Sequence, residues 1–181
     1  MFFTESQKKD IKEWTLTIIW AIAIYLLVSI FIFSARVDGD SMNPTFTDGN
    51  FLFATRNYLT SEYDHGDVIV FNSPTLGKAL IKRVIGVPGD TIKIEDQKVY
   101  VNGEEIKEDY INNPPLENLE IKVTDGNYFV MGDNRQNSLD SRYELVGLVS
   151  KQQIMGKVVI EVFPKPMIIN WTGGLNIGEI K

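Results

Sequence analysis

The stretch from Trp14 to Ala35, "WTLTIIWAIAIYLLVSIFIFSA", contains no charged residue. A helix needs about 20 predominantly apolar residues to cross the hydrocarbon core of a bilayer, and this run supplies them. A buried helix of a soluble domain normally keeps a polar face over such a length. The run therefore reads as a transmembrane anchor over 14–35, with a short segment, 1–13, before it and one domain, 36–181, after it. A cleaved secretory signal is the alternative. The run is longer than a usual signal core, however, and "IFSAR" ends in a charge where a small-residue cleavage pattern is needed. Lys8, Lys9 and Lys12 precede the anchor, and Arg36 is the only nearby basic residue after it. The positive-inside rule then puts the N-terminus in the cytoplasm and 36–181 outside.

Composition removes several chemistries. There is no cysteine, which excludes disulfides, thiolate nucleophiles and Cys-based metal sites. There is one histidine, His65, so a multi-histidine zinc site is excluded as well and no metal is expected. The net charge of −6 argues against nucleic acid as a partner, since such proteins bind through basic patches.

Beyond the anchor the pattern changes to short runs rich in β-branched and aromatic residues, at 51–57, 67–71, 80–85, 91–95, 98–101, 127–131 and 157–163. Val87-Pro88-Gly89-Asp90 has the composition of a type II turn. Asn102-Gly103 between two short runs is a two-residue hairpin signal. Residues 111–126 read as an irregular excursion with an edge strand, and 170–181 as a loosely held tail. Asn170-Trp171-Thr172 fits a glycosylation acceptor, a triplet that often arises by chance. No extended helix is expected outside the anchor. The domain reads as one all-β unit, closed or folded over so that its edges are protected.

Three polar clusters interrupt or cap these runs: Ser41 in "GDSMNPT", Lys82-Arg83 in "ALIKRVIGVPGD", and "MGDNRQNSLDSR" at 131–142. A serine nucleophile needs a base. The only histidine that could serve lies in the polar stretch "SEYDHGDVIVF", where a solvated loop side chain is expected. Lys82 lies inside an apolar run, and strand alternation puts it on one face with Leu80 and Val84, leaving Ile81, Arg83 and Ile85 on the other. If that first face is buried, the amine loses water, its pKa falls, and a neutral amine becomes accessible near pH 8. The residues alone equally allow an edge-strand lysine that blocks aggregation. The third cluster can brace a site through its hydrogen bonds, or be an ordinary solvated loop.

In their order along the chain, "SMNPT", "GDVIVF", "KRVIGVPGD" and "MGDNRQNSLDSR" resemble the four motifs of the bacterial type I signal peptidases, in their short Gram-positive-like form. The resemblance runs from the anchor to Arg142. It implies an all-β catalytic domain, of the partly closed kind shared with self-cleaving repressor proteases, behind one N-terminal transmembrane helix in the cell (plasma) membrane. It also implies a Ser–Lys dyad, a variant of triad logic, with Ser41 as nucleophile and Lys82 as general base. Ser138 would hydrogen-bond and orient the lysine, Asp140 and Arg142 would form a supporting ion pair, and Asp133 would pair with Arg83. No metal, nucleotide or other cofactor is implied.

The implied partners are secretory preproteins and the bilayer, with cleavage after a signal peptide carrying small residues at −1 and −3. The substrate would bind extended, as an added strand along Asp38–Asp40 and Leu80–Ile81. Met42 and Ile81 would wall the pocket for the last residue. Ser41 follows Ser34 by a span of at most about 25 Å, which holds it near the outer membrane face. A well-known branch of the family uses a serine two positions before the nucleophile as an oxyanion donor; here that position is Gly39. We expect Gly39 to be conformationally ordinary, so that a hydroxyl there would add a donor at no cost to the fold. A self-cleaving repressor would carry a DNA-binding domain where the anchor stands. A histidine-based signal peptidase would have histidine at position 82, and a β binding module would need neither of the last two motifs.

Overall fold

The computed structural model describes residues 5–60, 62–163 and 167–168. The tail at 170–181, with the triplet Asn170-Trp171-Thr172, lies outside the described residues. Helix α1 runs over Glu5–Phe31, and twelve strands follow among the described residues. They are β1 (Ile32–Arg36), β2 (Phe51–Arg56), β3 (Val68–Ser73), β4 (Lys78–Gly86), β5 (Thr91–Glu95) and β6 (Lys98–Val101). After them come β7 (Glu104–Glu105), β8 (Leu119–Lys122), β9 (Asn127–Met131), β10 (Val149–Ser150), β11 (Ile154–Phe163) and β12 (Met167–Ile168). The only other helical pieces among the described residues are 3-10 turns at Asn57–Leu59 and Lys151–Gln153.

The helix contains a segment of 23 residues, Lys9–Phe31, long and apolar enough to span a membrane. Its large apolar side chains are exposed, Trp14, Trp20 and Tyr25 among them. The hydroxyls of Thr15, Thr17 and Ser29 donate back to helix carbonyls, which satisfies these three donors in an apolar surrounding. The helix ends four residues before the expected boundary at Ala35. Ile32–Arg36 instead pairs in register with Phe51–Thr55 as an edge strand. Hydrophobicity alone cannot distinguish the last turn of a membrane helix from an apolar strand joined directly to it.

The strands form two antiparallel sheets. The larger has the order β1-β2-β11-β3-β4-β9-β10, with β12 on β11, and does not close on itself among the described residues. The smaller has the order β7-β6-β5-β8 and includes the expected hairpin, in which Asn102 and Gly103 both have positive φ, 54° and 87°. Strand β8, inside the expected excursion, is one of its two edges. The Asp90 N–H donates to Val87 O at 3.1 Å, closing the expected turn between β4 and β5.

Alternation along the strands sorts the apolar residues into separate cores. Val68 and Val70 of β3 face Val37, Met42, Phe46 and Leu52, while Ile69 and Phe71 face Tyr63, Val84, Tyr128 and Val130. Ile85, Phe129 and Met131 pack against Ile92, Ile94, Val99 and Val101 of the smaller sheet. The large sheet is thus covered on both faces, which is why β3 and β4 read as near-continuous apolar runs. The loop that carries Ser41 is one of the covers, tied down by the burial of Met42 and Phe46.

Candidate active site

Ser41 lies in a turn between β1 and β2. Two backbone bonds close the turn: Asn43 N–H to Asp40 O at 3.1 Å and Phe46 N–H to Met42 O at 2.9 Å. The Asn43–Pro44 peptide within it is cis. Lys82 stands in the middle of β4 opposite Ile69, bracketed by Leu80 and Val84, as the alternation predicts. Its Nζ lies 2.6 Å from Ser41 Oγ and 3.0 Å from Ile81 O. The side chain is buried, and removal from water pulls its pKa down from 10.5 to about 8, against the opposing pull of Asp140 and Asp133. An amine so placed can take a proton from the hydroxyl it touches once it is neutral.

Behind this pair stands a buried charged layer. Asp133 accepts from Arg83 Nε at 2.8 Å, and both side chains are fully buried. The Thr45 hydroxyl, from the Ser41 turn, donates to Asp133 Oδ2. Arg142 Nε donates to Asp140 Oδ1 at 2.8 Å and Nη2 to Oδ2 at 2.9 Å. Both expected ion pairs are therefore present. Three participants escaped the sequence reading: Tyr110, whose ring lies 4.1 Å from the Arg83 guanidinium carbon; Glu108, which pairs with Arg135; and Glu117, which accepts from Arg142 Nη1 at 2.8 Å. They come from the 104–118 segment, and no local pattern marks them, because each acts through a partner about 25 residues or more away in sequence.

Other expectations are corrected. Ser138 is buried, but its Oγ has no hydrogen-bond partner among the described residues and does not bond Lys82; it sits against the Gly132 backbone near the Ser41 carbonyl instead. His65 is no solvated loop side chain. Its Nε2 lies 2.7 Å from Asp90 Oδ2, tying the turn before β3 to the turn after β4. Gly39 is not conformationally ordinary: its φ is +84°, in the left-handed region that favours glycine, although a Cβ there would meet nothing within 4 Å. In this loop the Gly39 N–H donates to Asp48 Oδ1 at 2.9 Å.

Two depressions flank the pair. One, of about 60 Å³, is lined by Asp38, Ser41, Met42, Leu80, Ile81 and Lys82 among others. A wider one, of about 360 Å³, is lined by Asp38, Gly39, Asp40, Ser41, Leu80, Lys82 and Leu139 among others. All six expected substrate-contacting residues thus border the Ser41–Lys82 pair. No cluster of metal-ligating side chains occurs among the described residues.

The profile of the family described as signal peptidase, peptidase S26, matches residues 11–163. Signal peptidase I S of Bacillus subtilis (strain 168) is 39% identical over 88% of this chain and 92% of its own. A signal peptidase I of Bacillus amyloliquefaciens is 40% identical over 84% and 85%, and a probable signal peptidase I-1 of Synechocystis is 38% identical over 85% and 83%. A crystal structure of a signal peptidase I from Enterococcus faecalis V583 shares 33% identity, covering 54% of this chain and 97% of that one, with a TM-score of 0.49. Matched by the family profile over most of its length, and by relatives this similar over more than four-fifths of it, the chain belongs to the peptidase S26 signal peptidases, which are serine proteases and hydrolases.

Proposed function

We propose that the protein is a membrane-bound endopeptidase that removes signal peptides from secreted preproteins, with Ser41 as nucleophile and Lys82 as general base. The observation that carries this reading is the 2.6 Å contact between Lys82 Nζ and Ser41 Oγ, made by a lysine whose pKa burial has lowered to about 8. Neutral Lys82 takes the hydroxyl proton as Ser41 Oγ attacks the carbonyl carbon of the scissile bond. The negative charge moves to the carbonyl oxygen, which the Ser41 N–H is positioned to receive. As the tetrahedral intermediate collapses, Lys82 gives its proton to the departing amine of the mature protein. Water then attacks the acyl-enzyme, again losing a proton to Lys82, and Ser41 is regenerated. No cofactor enters this scheme.

The substrate runs extended between Asp38–Asp40 and Leu80–Ile81, with Met42 and Ile81 walling the pocket for the residue at −1. This depression, about 60 Å³, is the smaller of the two beside the Ser41–Lys82 pair. That favours small residues at −1 and, on the same wall, at −3. Asp140–Arg142 and Asp133–Arg83 stabilise the site from behind, and Ser138 packs beside it. The anchor crosses the cell membrane once, with 1–13 in the cytoplasm and the domain from 36 onward outside; Lys8, Lys9 and Lys12, at the N-terminal end of the helix, support that orientation.

The test is cleavage of a preprotein by full-length enzyme in detergent micelles. Wild type should cut, while Ser41→Ala and Lys82→Ala should each abolish cutting, since residues acting as a unit give non-additive losses. His65→Ala should retain most activity. An active Ser41→Ala enzyme would overturn the reading.

A further inference from the structure

We propose that Asn134 is a positioning residue that sets the oxyanion hole by holding both peptide planes that meet at Ser41. The inference rests on Ser41 being the nucleophile. The Asn134 backbone N–H donates to Ser41 O at 3.0 Å, and its side-chain Nδ2 donates to Asp40 O at 3.1 Å. A carbonyl oxygen only accepts, so the amide nitrogen of Asn134 faces Asp40. The peptide between Asp40 and Ser41 is trans, so the Asp40 carbonyl and the Ser41 N–H lie in one plane and point in opposite directions. A bond that fixes the first therefore fixes the second. The Ser41 N–H itself has no hydrogen-bond partner among the described residues, which leaves it available to a developing oxyanion. Asn134 thus aims a donor that it does not touch.

This loop needs an external hold. Gly39, two residues before Ser41, has φ +84° and no side chain to pack, and Asp40 is exposed, so the chain entering Ser41 is not anchored by side-chain burial at either residue. The segment bearing Asn134 is itself braced. The Gly132 N–H donates to Asp140 Oδ2 at 2.9 Å, and Arg135 Nε donates to Gly132 O at 3.0 Å. Asp133 takes the Thr45 hydroxyl from the far side of the Ser41 turn. Gly132 also lies so close that a Cβ there would stand 2.4 Å from Ser41 O. Three consecutive residues, 132 to 134, therefore grip the turn. The pair Asp140–Arg142 then acts on the nucleophile through Gly132 and Asn134 as well as through the field at Lys82.

The experiment uses full-length enzyme in detergent micelles. The substrate is a peptide with alanine at −3 and −1. Two further probes are the corresponding peptide aldehyde, which forms an oxyanion-bearing hemiacetal with serine, and a non-cleavable peptide with proline after the scissile position. Asn134→Ala keeps the backbone bond and loses the side-chain bond. Its kcat should fall about tenfold or more with KM within about twofold, and the aldehyde should weaken in proportion while the non-cleavable peptide binds as before. The acidic limb of its kcat should stay at about 8, because Lys82 is untouched. Asn134→Asp is isosteric, retains the fold, and sets an acceptor against the Asp40 carbonyl, so it should fall further. If both variants cleave within about twofold of wild type, the clamp is refuted. Equal weakening of aldehyde and non-cleavable peptide, or a moved pH limb, would refute it too by showing a general displacement of the site. Ser41→Ala serves as the control. Should it cleave, the nucleophile assignment fails and the clamp with it; should it be inactive while the Asn134 variants are normal, the clamp alone fails.

Discussion

Lys82 Nζ and Ser41 Oγ stand 2.6 Å apart although 41 positions of sequence separate them. In its charged form the lysine is the donor in this contact; catalysis requires the reverse, with the hydroxyl donating to a neutral amine. One geometry serves both states, and burial decides which is populated near neutrality.

That burial has a cost to stability with a definite sign. The folded-state pKa of Lys82, about 8, lies below its ordinary 10.5. Below pH 8 the lysine is charged in both states, and the folded protein bears the full penalty, about 3 kcal/mol. Between pH 8 and 10.5 the unfolded chain holds more protons, so the penalty fades as pH rises. Lys82→Met keeps the stem without the charge, and should melt several degrees above wild type at pH 7, with the gap closing toward pH 10. A gap that stays constant with pH would show that the amine is not desolvated.

Gly39 yields the opposite expectation from the one the family comparison suggests. The space around it is open, so a serine would cost backbone strain alone, on the order of 1 kcal/mol, or roughly 2–4 °C in Tm. Gly39→Ser and Gly39→Ala should lose similar stability in thermal melts. Any excess activity of the serine variant over the alanine variant then measures the hydroxyl as an oxyanion donor.

The Asp133–Arg83 pair is fully buried, so deleting one partner strands a charge. Asp133→Ala and Arg83→Ala should each destabilise by about 3–5 kcal/mol, and the double variant by much less than the sum. Denaturant unfolding of the three would read this coupling; additive losses would contradict it.

Much of this fold was legible in the residues. The β-branched runs located β2 to β6, β9 and β11, because strands buried on one or both faces carry their own pattern. Strand β1 was hidden inside the apolar run, where nothing local separates helix from strand. The two-residue strands β10 and β12 are too short to carry a period. At the site, Ser41, Lys82 and the two ion pairs were visible through ordered motifs. The angle at Gly39 was not, since nothing local marks it and the Gly39 N–H is held by Asp48 nine residues on. Neither was the grip of Asn134 on Asp40, which joins residues 94 positions apart. Ser138 was assigned a bond to Lys82 that its location beside Gly132 does not make.

The orientation is open to direct test. Protease added outside spheroplasts should digest the domain beyond Arg36 and leave a tag fused before Met1 protected. A protected domain would reverse the topology.

The central claim is that a desolvated, neutral Lys82 activates Ser41, and the pH dependence of kcat/KM tests it most directly. The profile should rise with pH through about 8, the depressed pKa of Lys82, and then level off. A lysine left in water would titrate near 10.4. Activity that climbs without a plateau to about pH 10 would contradict the account.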